Sequence, residues 1–285
     1  CSREGLNPKD IVASVIVGNN VMTNILLGLP VETLAKHPYQ PILASSVLLR
    51  GKTVGFNLLK NALIYMPPGV AGFVGSDAVA DIVLVWKLGL NGKILILDVG
   101  TNTEIILIED WRRILVTSAP AGPAVEGAHI SIGARVVDRA FRKARVSSRG
   151  EIILEPSIEN PVGLTGSALI SLLACLLEKN YIDERGRIVE GFDVDSTGLK
   201  RITVYQLRDG ETLSLTQLDV RELQKAKAAI AAGWRAILNE AGVNALDYVV
   251  VAGSFGSSIN VEHAIRIGLL PDVGRDKVIV VGNAA

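Results

Sequence analysis

At 285 residues, the chain is long enough for two compact domains, or for one α/β domain and part of another. Its 29 basic and 29 acidic side chains cancel, which gives no electrostatic reason to expect nucleic acid or an acidic membrane surface as a partner. Hydrophobic residues make up 49% of the sequence and aromatic residues only 5%, so the cores must consist mainly of Val, Ile, Leu and Ala. That composition is typical of sheets covered by helices.

Cysteine usage and hydropathy indicate the compartment. Only two cysteines are present, Cys1 and Cys175, which argues against a disulfide scaffold and suits a reducing cytoplasm. Two thiolates are also too few for an iron–sulfur cluster, which normally takes four. The sequence has no signal-peptide pattern and no apolar run long enough to cross a bilayer, so no membrane partner is expected. It starts in mid-pattern at a residue other than Met, which favours a fragment or a processed product.

The pattern of predicted strands, helices and turns divides the chain into two units near Gly89–Gly92. In the first unit, the first strand ends in Gly18-Asn19-Asn20, and Ser76 or Asp77 is predicted to cap the last helix. The predicted elements of this unit are a strand at Ile11–Val17, a helix at Val21–Leu27, strands near Pro41–Leu49 and Asn61–Met66, and a helix from Asp77 to about Leu88.

The second unit alternates strands, glycine-rich turns and helices. Asp219 is predicted to cap its longest helix, and Cys175 is expected to be a core residue of an apolar helix. The predicted elements are strands at Ile94–Leu97, Glu104–Ile108 and Ile114–Thr117, a short helix carrying Glu126, a hairpin around Ser147–Ile158, a helix at Ala168–Lys179, strands at Ile202–Gln206 and Ser214–Leu218, a helix at Val220–Ala241, a strand at Tyr248–Val251, and a helix that starts near Val261.

The segment Lys93–Ile108, reading KILILDVGTNTEIILI, carries the strongest chemical signal. An apolar strand ends in Asp98, a polar turn follows at Gly100–Thr103, and a second strand begins. Closely spaced N–H groups, two hydroxyls and an amide suit a small anion, while Asp98 is placed to hold a hydrated metal ion. An ordinary hairpin explains the same residues, because Gly, Asn and Thr are common in turns.

The order of the elements favours the anion site. A helix leads into the Asp-headed hairpin and a third strand, and a later strand ends in a second glycine-rich loop. In this order the sequence resembles the superfamily of acetate and sugar kinases, heat-shock chaperone ATPases and actin, whose two ribonuclease-H-like α/β lobes enclose ATP. The resemblance implies that Asp98–Thr103 is the second phosphate motif, that Ala252–Gly256 is the adenosine motif, and that the helix from Asp77 connects the lobes.

A narrower resemblance covers nearly the whole chain. It rests on GNNVMT at 18–23 with LLG at 26–28, DVGTNTE at 98–104, AGPAVEGA at 121–128, LTQLDVRELQKAKAAIAAG at 215–233, AGSFG at 252–256, IGLLPD at 267–272 and VGNAA at 281–285. Together these strings resemble the reductive activators of corrinoid proteins. That family joins an ATP-binding module to an iron–sulfur electron carrier and returns cobalt(II) corrinoid of a methyltransferase system to cobalt(I). The resemblance implies that residues 1–90 are a partial first lobe with the connector helix and residues 91–285 the second lobe.

Some features of that family have no counterpart in the sequence. They are the first phosphate motif, expected before Ile11–Val17, the second interlobe helix, expected after Gly282, and the cluster-bearing module. Thr103 and Ser254 stand where Gly is usual, and Thr165 stands where Cys is frequent. The iron–sulfur cluster is therefore expected only in a module outside this chain.

The resemblance also implies roles for single residues. Asp98 is expected to orient a magnesium-bound or attacking water near the terminal phosphate of ATP, and Glu126 to support the Mg²⁺ ion indirectly. A carboxylate near a helix N-terminus needs no such role, so both interpretations of Glu126 stay open. No side chain is assigned as a direct metal ligand. The expected nucleotide-binding residues are Gly100, Thr101, Asn102, Thr103 and Gly122 and, along the adenosine, Gly253, Ser254, Phe255 and Gly256, of which Phe255 is equally explained by core packing.

Other functions are open at this point. A small-molecule kinase would need a catalytic carboxylate and a substrate pocket that the sequence does not identify. An activator of radical dehydratases would need cluster cysteines, which are lacking. A platform that docks a corrinoid protein without turning over ATP is consistent with the missing first phosphate motif. The expected partner is a corrinoid protein of a methyltransferase system, and a homodimer is possible.

Overall fold

The computed structural model of the protein describes residues 5, 7–56, 61–253 and 258–283. Two compact units are present, and the division between them falls between Leu90 and Asn91.

The first unit contains a three-stranded sheet. Its elements in chain order are the 3₁₀ helix Pro8–Asp10, β1 (Ala13–Val15), α1 (Asn20–Leu26), the 3₁₀ helix Glu32–Leu34, β2 (Val47–Arg50), the 3₁₀ helix Gly51–Val54, β3 (Leu63–Met66) and α2 (Ser76–Lys87). Strand β3 lies in the middle, parallel to β1 and antiparallel to β2. The predicted strand near Pro41–Leu49 begins only at Val47, because the backbone of Leu43 is bonded to the side-chain amide of Asn24 instead of to a neighbouring strand.

The buried Asn20 holds α1 to the loop that precedes α2. Asn20 is only 1% exposed, and its Nδ2 donates to the carbonyls of Gly72 and Val74 at 2.8 and 3.0 Å. Gly69 lies against the same side chain, since a Cβ there would be 2.1 Å from Asn20 Oδ1. The Gly18-Asn19-Asn20 turn therefore serves the packing of the first unit.

The N-termini of the two helices differ in their caps. Asn19 caps α1 by accepting a hydrogen bond from Met22 N at 2.9 Å. The N-cap of α2 is Gly75, which makes no side-chain cap hydrogen bond. Of the two residues predicted to bond the free N–H groups of the first turn, Asp77 does so, because its Oδ1 accepts from Ala78 N at 2.9 Å. The Ser76 hydroxyl is instead bonded to Gly18, and burial raises the pKa of the Asp77 carboxyl.

The second unit is built around a five-stranded sheet. Its elements in chain order are β4 (Lys93–Asp98), β5 (Thr103–Glu109), β6 (Arg113–Ala119), the 3₁₀ helix Pro123–Glu126, β7 (Ala140–Phe141), β8 (Lys143–Val146), β9 (Ile152–Glu155), β10 (Gly163–Leu164), α3 (Gly166–Glu178), β11 (Asp193–Val194), β12 (Lys200–Gln206), β13 (Thr212–Thr216), α4 (Gln217–Ala241), β14 (Tyr248–Ala252), α5 (Val261–Arg266), the 3₁₀ helix Arg275–Lys277 and β15 (Val278–Gly282).

The sheet order is β15-β14-β4-β5-β6, in which β14 is parallel to both β15 and β4, while β4, β5 and β6 form an antiparallel meander. The central strands are buried on both faces, which explains their nearly continuous apolar sequences. Leu95, Leu97 and Ile105 on one face belong to the main core, together with residues of α3 and α4. Gly233 lets α4 approach the sheet closely, since a Cβ there would be 2.4 Å from Ile105 Cδ1.

The start of α4 differs from the prediction. The helix begins at Gln217 and is capped by Thr216, so Asp219 is the third helical residue and not the cap. Thr216 and Asp219 form a reciprocal capping box, and Asp219 also accepts from Ser131 N at 2.7 Å. The predicted strand Ser214–Leu218 consequently ends at Thr216.

Two further sequence predictions concern the second unit. The excursion around Ser147–Ile158 is a hairpin, but its first strand lies before Ser147, at Lys143–Val146. Cys175 is buried inside α3, as predicted. None of the helices in the described part of the chain is both long and apolar enough to span a membrane.

Candidate functional site

The candidate site lies at one edge of the five-stranded sheet, where two parallel strands end side by side. Asp98 at the end of β4 is paired in register with Ala252 at the end of β14. Val99 N, one residue beyond, donates to Ala252 O at 3.2 Å. Because neighbouring parallel strands point the same way, the polar turn after β4 and the glycine-rich loop after β14 begin at the same edge.

Gly253 is in direct contact with Asp98. Its φ is +87°, and a Cβ at this position would be 2.5 Å from Asp98 Oδ1 and 2.7 Å from Val99 O. Only glycine satisfies both the backbone conformation and the close approach. The remaining residues predicted for the adenosine motif, Ser254, Phe255 and Gly256, lie outside the described residues.

The turn between β4 and β5 presents two of its three polar side chains to solvent. Thr101 and Asn102 are exposed, whereas Thr103 is fully buried and its hydroxyl donates to Gly100 O at 3.4 Å. A Cβ on Gly100 would be 3.2 Å from Asn102 O, so the turn is tight at this point. The hydroxyl of Thr103 therefore closes the turn, and Thr101 and Asn102 form its outer surface.

Glu126 reaches this turn from the 3₁₀ helix Pro123–Glu126. Its Oε1 accepts hydrogen bonds from Thr101 N and Thr101 Oγ1, both at 2.9 Å. In the opposite direction, Gly122 N donates to Thr101 O at 2.8 Å. Residues Thr101, Gly122 and Glu126, which were assigned to the site from the sequence, are thus brought together.

A second carboxylate lies beside Asp98 and was missed in the sequence. Glu104 is the register partner of Asp98 across the β4–β5 pair, which places the two side chains on the same face of the sheet. Glu104 is 5% exposed, and Ser118 Oγ donates to its Oε1 at 3.5 Å. Two carboxyl groups thus lie next to each other at this edge of the sheet.

The N-terminus of α3 adjoins Glu126 and was also missed. A Cβ on Gly166, the first residue of the helix, would be 1.7 Å from Val125 O, so α3 starts against the backbone of the 3₁₀ helix. A cavity of about 280 Å³ opens here. It is lined by Val125, Glu126, Arg135, Val136, Thr165, Gly166, Ser167 and Ser258. A helix N-terminus and the Arg135 guanidinium favour an anion in such a cavity.

Three hydroxyl groups line one side of this cavity. Thr165, the N-cap of α3, lies 3.1 Å from Ser167 Oγ, and Ser258 Oγ donates to Ser167 Oγ at 3.0 Å. Ser258 also lines a second, polar cavity of about 440 Å³ with Lys143, Arg145 and Arg275. A sequence signal for this region is the Thr165-Gly166-Ser167 segment immediately before the predicted helix at Ala168–Lys179.

The donor set fits magnesium held through phosphates and does not fit an iron–sulfur cluster. Within the described ranges, no group of three or more His, Cys, Asp and Glu side chains is arranged to hold a metal ion. Mg²⁺ is commonly bound by one or two carboxylates together with substrate phosphates and keeps several waters, and Asp98 and Glu104 are the carboxylates at this edge of the sheet. With two cysteines in the whole sequence, four-thiolate ligation by this chain alone is excluded.

Comparisons with known proteins identify the family of the chain. Residues 92–285 match the family model described as the C-terminal domain of RACo, the ASKHA domain, and residues 1–88 match the RACo middle region. The chain is 30% identical over 303 residues to the corrinoid activation enzyme RamQ of Eubacterium limosum, covering 100% of this chain and 50% of that protein.

Two other relatives are equally informative. The Co(II) methylated amine-specific corrinoid protein reductase of Methanosarcina barkeri is 30% identical over 257 residues, covering 81% of this chain and 44% of that protein. The solved structure of a reductive activator for corrinoid, iron–sulfur protein superposes with a TM-score of 0.89 at 30% identity, covering 100% of this chain and 47% of that one. The chain thus spans about half the length of these relatives.

The family and the superfamily fold predicted from the sequence motifs are both confirmed. The chain belongs to the RACo family of reductive activators of corrinoid proteins, of which it contains the middle region and the C-terminal ASKHA domain.

Proposed function

We propose that this chain is the ATP-binding core of a protein that reduces cobalt(II) corrinoid proteins to cobalt(I), with electrons from an iron–sulfur module outside the chain. The observation that carries the proposal is the contact between Asp98 and Gly253 at the ends of two parallel strands. A nucleotide bound at this edge would contact the polar turn Gly100–Thr103 on one side and the glycine-rich loop after β14 on the other. The relatives named as corrinoid activators supply the redox part of the proposal.

The phosphates are proposed to bind at the turn Gly100–Asn102 and at the N-terminus of α3. The start of α3 at Gly166 and the Arg135 residue line the cavity beside Glu126, and Glu126 in turn accepts from Thr101 N of the turn. Asp98 is proposed to orient water on the Mg²⁺ ion that accompanies the phosphates or the water that attacks the terminal phosphate. The second cavity, which shares Ser258 with the first, offers room for the adenosine.

ATP is needed for energetic reasons. For a one-electron couple, each gap of about 59 mV changes the equilibrium constant ten-fold. A gap of a few hundred millivolts between an ordinary donor and cobalt(II) corrinoid is then on the order of 5 kcal/mol or more. A shift of about 5.5 kcal/mol requires roughly 10⁴-fold preferential binding of one state. Tight binding of the cobalt(II) corrinoid protein is proposed to supply a free energy of this magnitude. Closure of the lobes around ATP is proposed to release the bound protein afterwards.

Titration calorimetry of Mg-ATP into the chain tests the nucleotide part. We expect saturable binding that Asp98→Asn weakens. The matched control is Asp247→Asn, because Asp247 accepts from Lys93 N at 2.8 Å at the opposite end of β4. Equal affinity of Asp98→Asn and the wild type would refute the assignment of Asp98. Absence of binding by the wild type would leave a platform for corrinoid-protein docking as the function of this chain.

The redox part requires the full-length parent protein. We expect ATP-dependent loss of the cobalt(II) absorbance of a corrinoid protein from a methyltransferase system, with the iron–sulfur module reduced beforehand. Reduction of cobalt(II) at the same rate without ATP would contradict the proposed coupling between ATP and electron transfer. A cytoplasmic location and a homodimer are part of the same proposal, and sedimentation of the parent protein tests the dimer.

A further inference from the structure

The carboxylate of Glu126 already occupies donors that the proposed function gives to a phosphate. Its Oε1 lies 2.9 Å from both Thr101 N and Thr101 Oγ1. It also lies 3.8 Å from the position of a Cβ on Gly100. An anionic oxygen is thus bound in the polar turn, and it belongs to the protein itself.

The position of this carboxylate is fixed by the backbone around it. The 3₁₀ helix Pro123–Glu126 is in contact with Gly166 of α3, where a Cβ would be 3.1 Å from Glu126 Cα. Gly127 follows with φ +88° and is itself in backbone contact with Gly133, where a Cβ would be 1.8 Å from Gly127 O. A bond from Gly122 N to Thr101 O joins the same helix start to the turn. The side chain is therefore presented to Thr101 by a packed segment.

We infer that Glu126 is a tethered anion that competes with nucleotide phosphate for Thr101, so that nucleotide binding requires its displacement. The inference rests on the proposed function, since it assumes that phosphate binds at this turn. A charge of the same sign at contact distance weakens binding of a phosphate, and the effect grows with the charge of the ligand. At this exposed position the expected effect on a triphosphate is about ten-fold in affinity.

This role makes predictions opposite to those of a magnesium-supporting carboxylate. If Glu126 supported Mg²⁺, removal of its charge would weaken Mg-ATP and leave metal-free ATP unchanged. As a tethered competitor, Glu126 weakens the binding of both Mg-ATP and metal-free ATP in the wild type. Removal of its charge therefore tightens the binding of both. Glu126 is on this account a positioning residue for the turn and makes no contact with the reacting atoms.

The test uses Glu126→Gln, which keeps an oxygen acceptor for Thr101 and removes the charge. ATP, ADP and adenosine are titrated calorimetrically into the whole chain, each with Mg²⁺ and with a chelator. Glu240→Gln, near the exposed end of α4, is the control for net charge. We expect Glu126→Gln to bind ATP about ten-fold tighter, ADP tighter by a smaller factor, and adenosine as the wild type does. Glu126→Ala, which also removes the charge, should give the same order of ligands.

Each alternative has its own outcome. Weaker binding by Glu126→Gln in the presence of Mg²⁺ alone would overturn the inference in favour of a magnesium role. An equal loss for all three ligands would overturn it in favour of a structural role. Failure of the wild type to bind any nucleotide would overturn both the inference and the proposed function, whereas wild-type binding that Glu126→Gln leaves unchanged would overturn the inference alone.

Discussion

Replacement of Gly253 by alanine tests the geometry on which the proposed nucleotide site depends. Two separate effects are expected. Alanine at φ +87° is strained, at a cost of about 1 kcal/mol. The new Cβ would also be 2.5 Å from Asp98 Oδ1 and 2.7 Å from Val99 O, which forces both groups to move. Overpacking of this kind costs about 1–3 kcal/mol.

Gly242 provides a matched control. It ends α4 in the same left-handed region, with φ +67°, and a Cβ there would meet nothing within 4 Å. Gly242→Ala therefore measures the backbone strain without the close contact. The expected loss of stability is about 1 kcal/mol for Gly242→Ala and about 3 kcal/mol for Gly253→Ala. For a domain of this size these values correspond to decreases in Tm of about 2–4 °C and about 6–12 °C.

Thermal unfolding followed by circular dichroism gives the first comparison, and titration with Mg-ATP the second. Because Asp98 must move in Gly253→Ala, we expect weaker nucleotide binding for that variant and wild-type affinity for Gly242→Ala. If the two variants lose the same stability and bind alike, Gly253 and Asp98 are not in contact, and the arrangement of the two loops derived from the sheet register is incorrect.

Three further predictions concern groups away from the site. Asn20→Ala should destabilise the protein by about 2 kcal/mol in thermal unfolding, because the carbonyls of Gly72 and Val74, one half-buried and one buried, lose their donor. Loss of the α1 cap in Asn19→Ala should cost about 1 kcal/mol. Burial and then a neighbouring guanidinium lower the pKa of His263, so the folded state binds fewer protons and stability should fall as the pH drops below 6.5, less steeply in His263→Gln. Burial raises the pKa of the Cys175 thiol to about 11, so in a Cys1→Ser background labelling by a disulfide reagent at pH 8 should require unfolding.

These three predictions fail in distinct ways. Equal losses for the two asparagine variants would show that the side-chain amide of Asn20 is not needed by the loop it contacts. Parallel pH profiles for the wild type and His263→Gln would show that the imidazole titrates normally in the folded protein. Labelling of Cys175 at the rate of an unfolded peptide would contradict its burial in α3.

Local sequence signals were sufficient to predict most strands of the five-stranded sheet. The apolar segments ending at Asp98 and starting near Glu104 lie in β4 and β5, because a strand buried on both faces has to be apolar throughout. By the same criterion VIVVG at 278–282 is a readable strand signal for β15, which is absent from the elements predicted above. The cap of α4 was also readable, since Thr216 with Asp219 three residues later is a capping-box pattern.

The remainder of the site depends on contacts between distant segments. Thr101 and Glu126 are 25 residues apart, and their hydrogen bonds exist only because the chain returns along β6 to the same edge. The cavity beside Glu126 combines residues from the 3₁₀ helix, α3 and the segment at Ser258. Hydrophobic periodicity and turn preferences describe residues that are close in sequence, and they carry no information about contacts between distant segments.

The backbone contacts around the 3₁₀ helix Pro123–Glu126 have a consequence for sequence variation. Gly127, Gly133 and Gly166 each have a carbonyl or an amide within about 3 Å of where a side chain would start, so they allow backbone segments to approach closely. In a saturation-mutagenesis experiment these three positions should reject every substitution as strongly as a ligand-binding residue does. Invariance at these glycines would therefore be explained by the close approach of the backbones alone, whereas the exposed side chains of Thr101 and Asn102 have no such packing constraint.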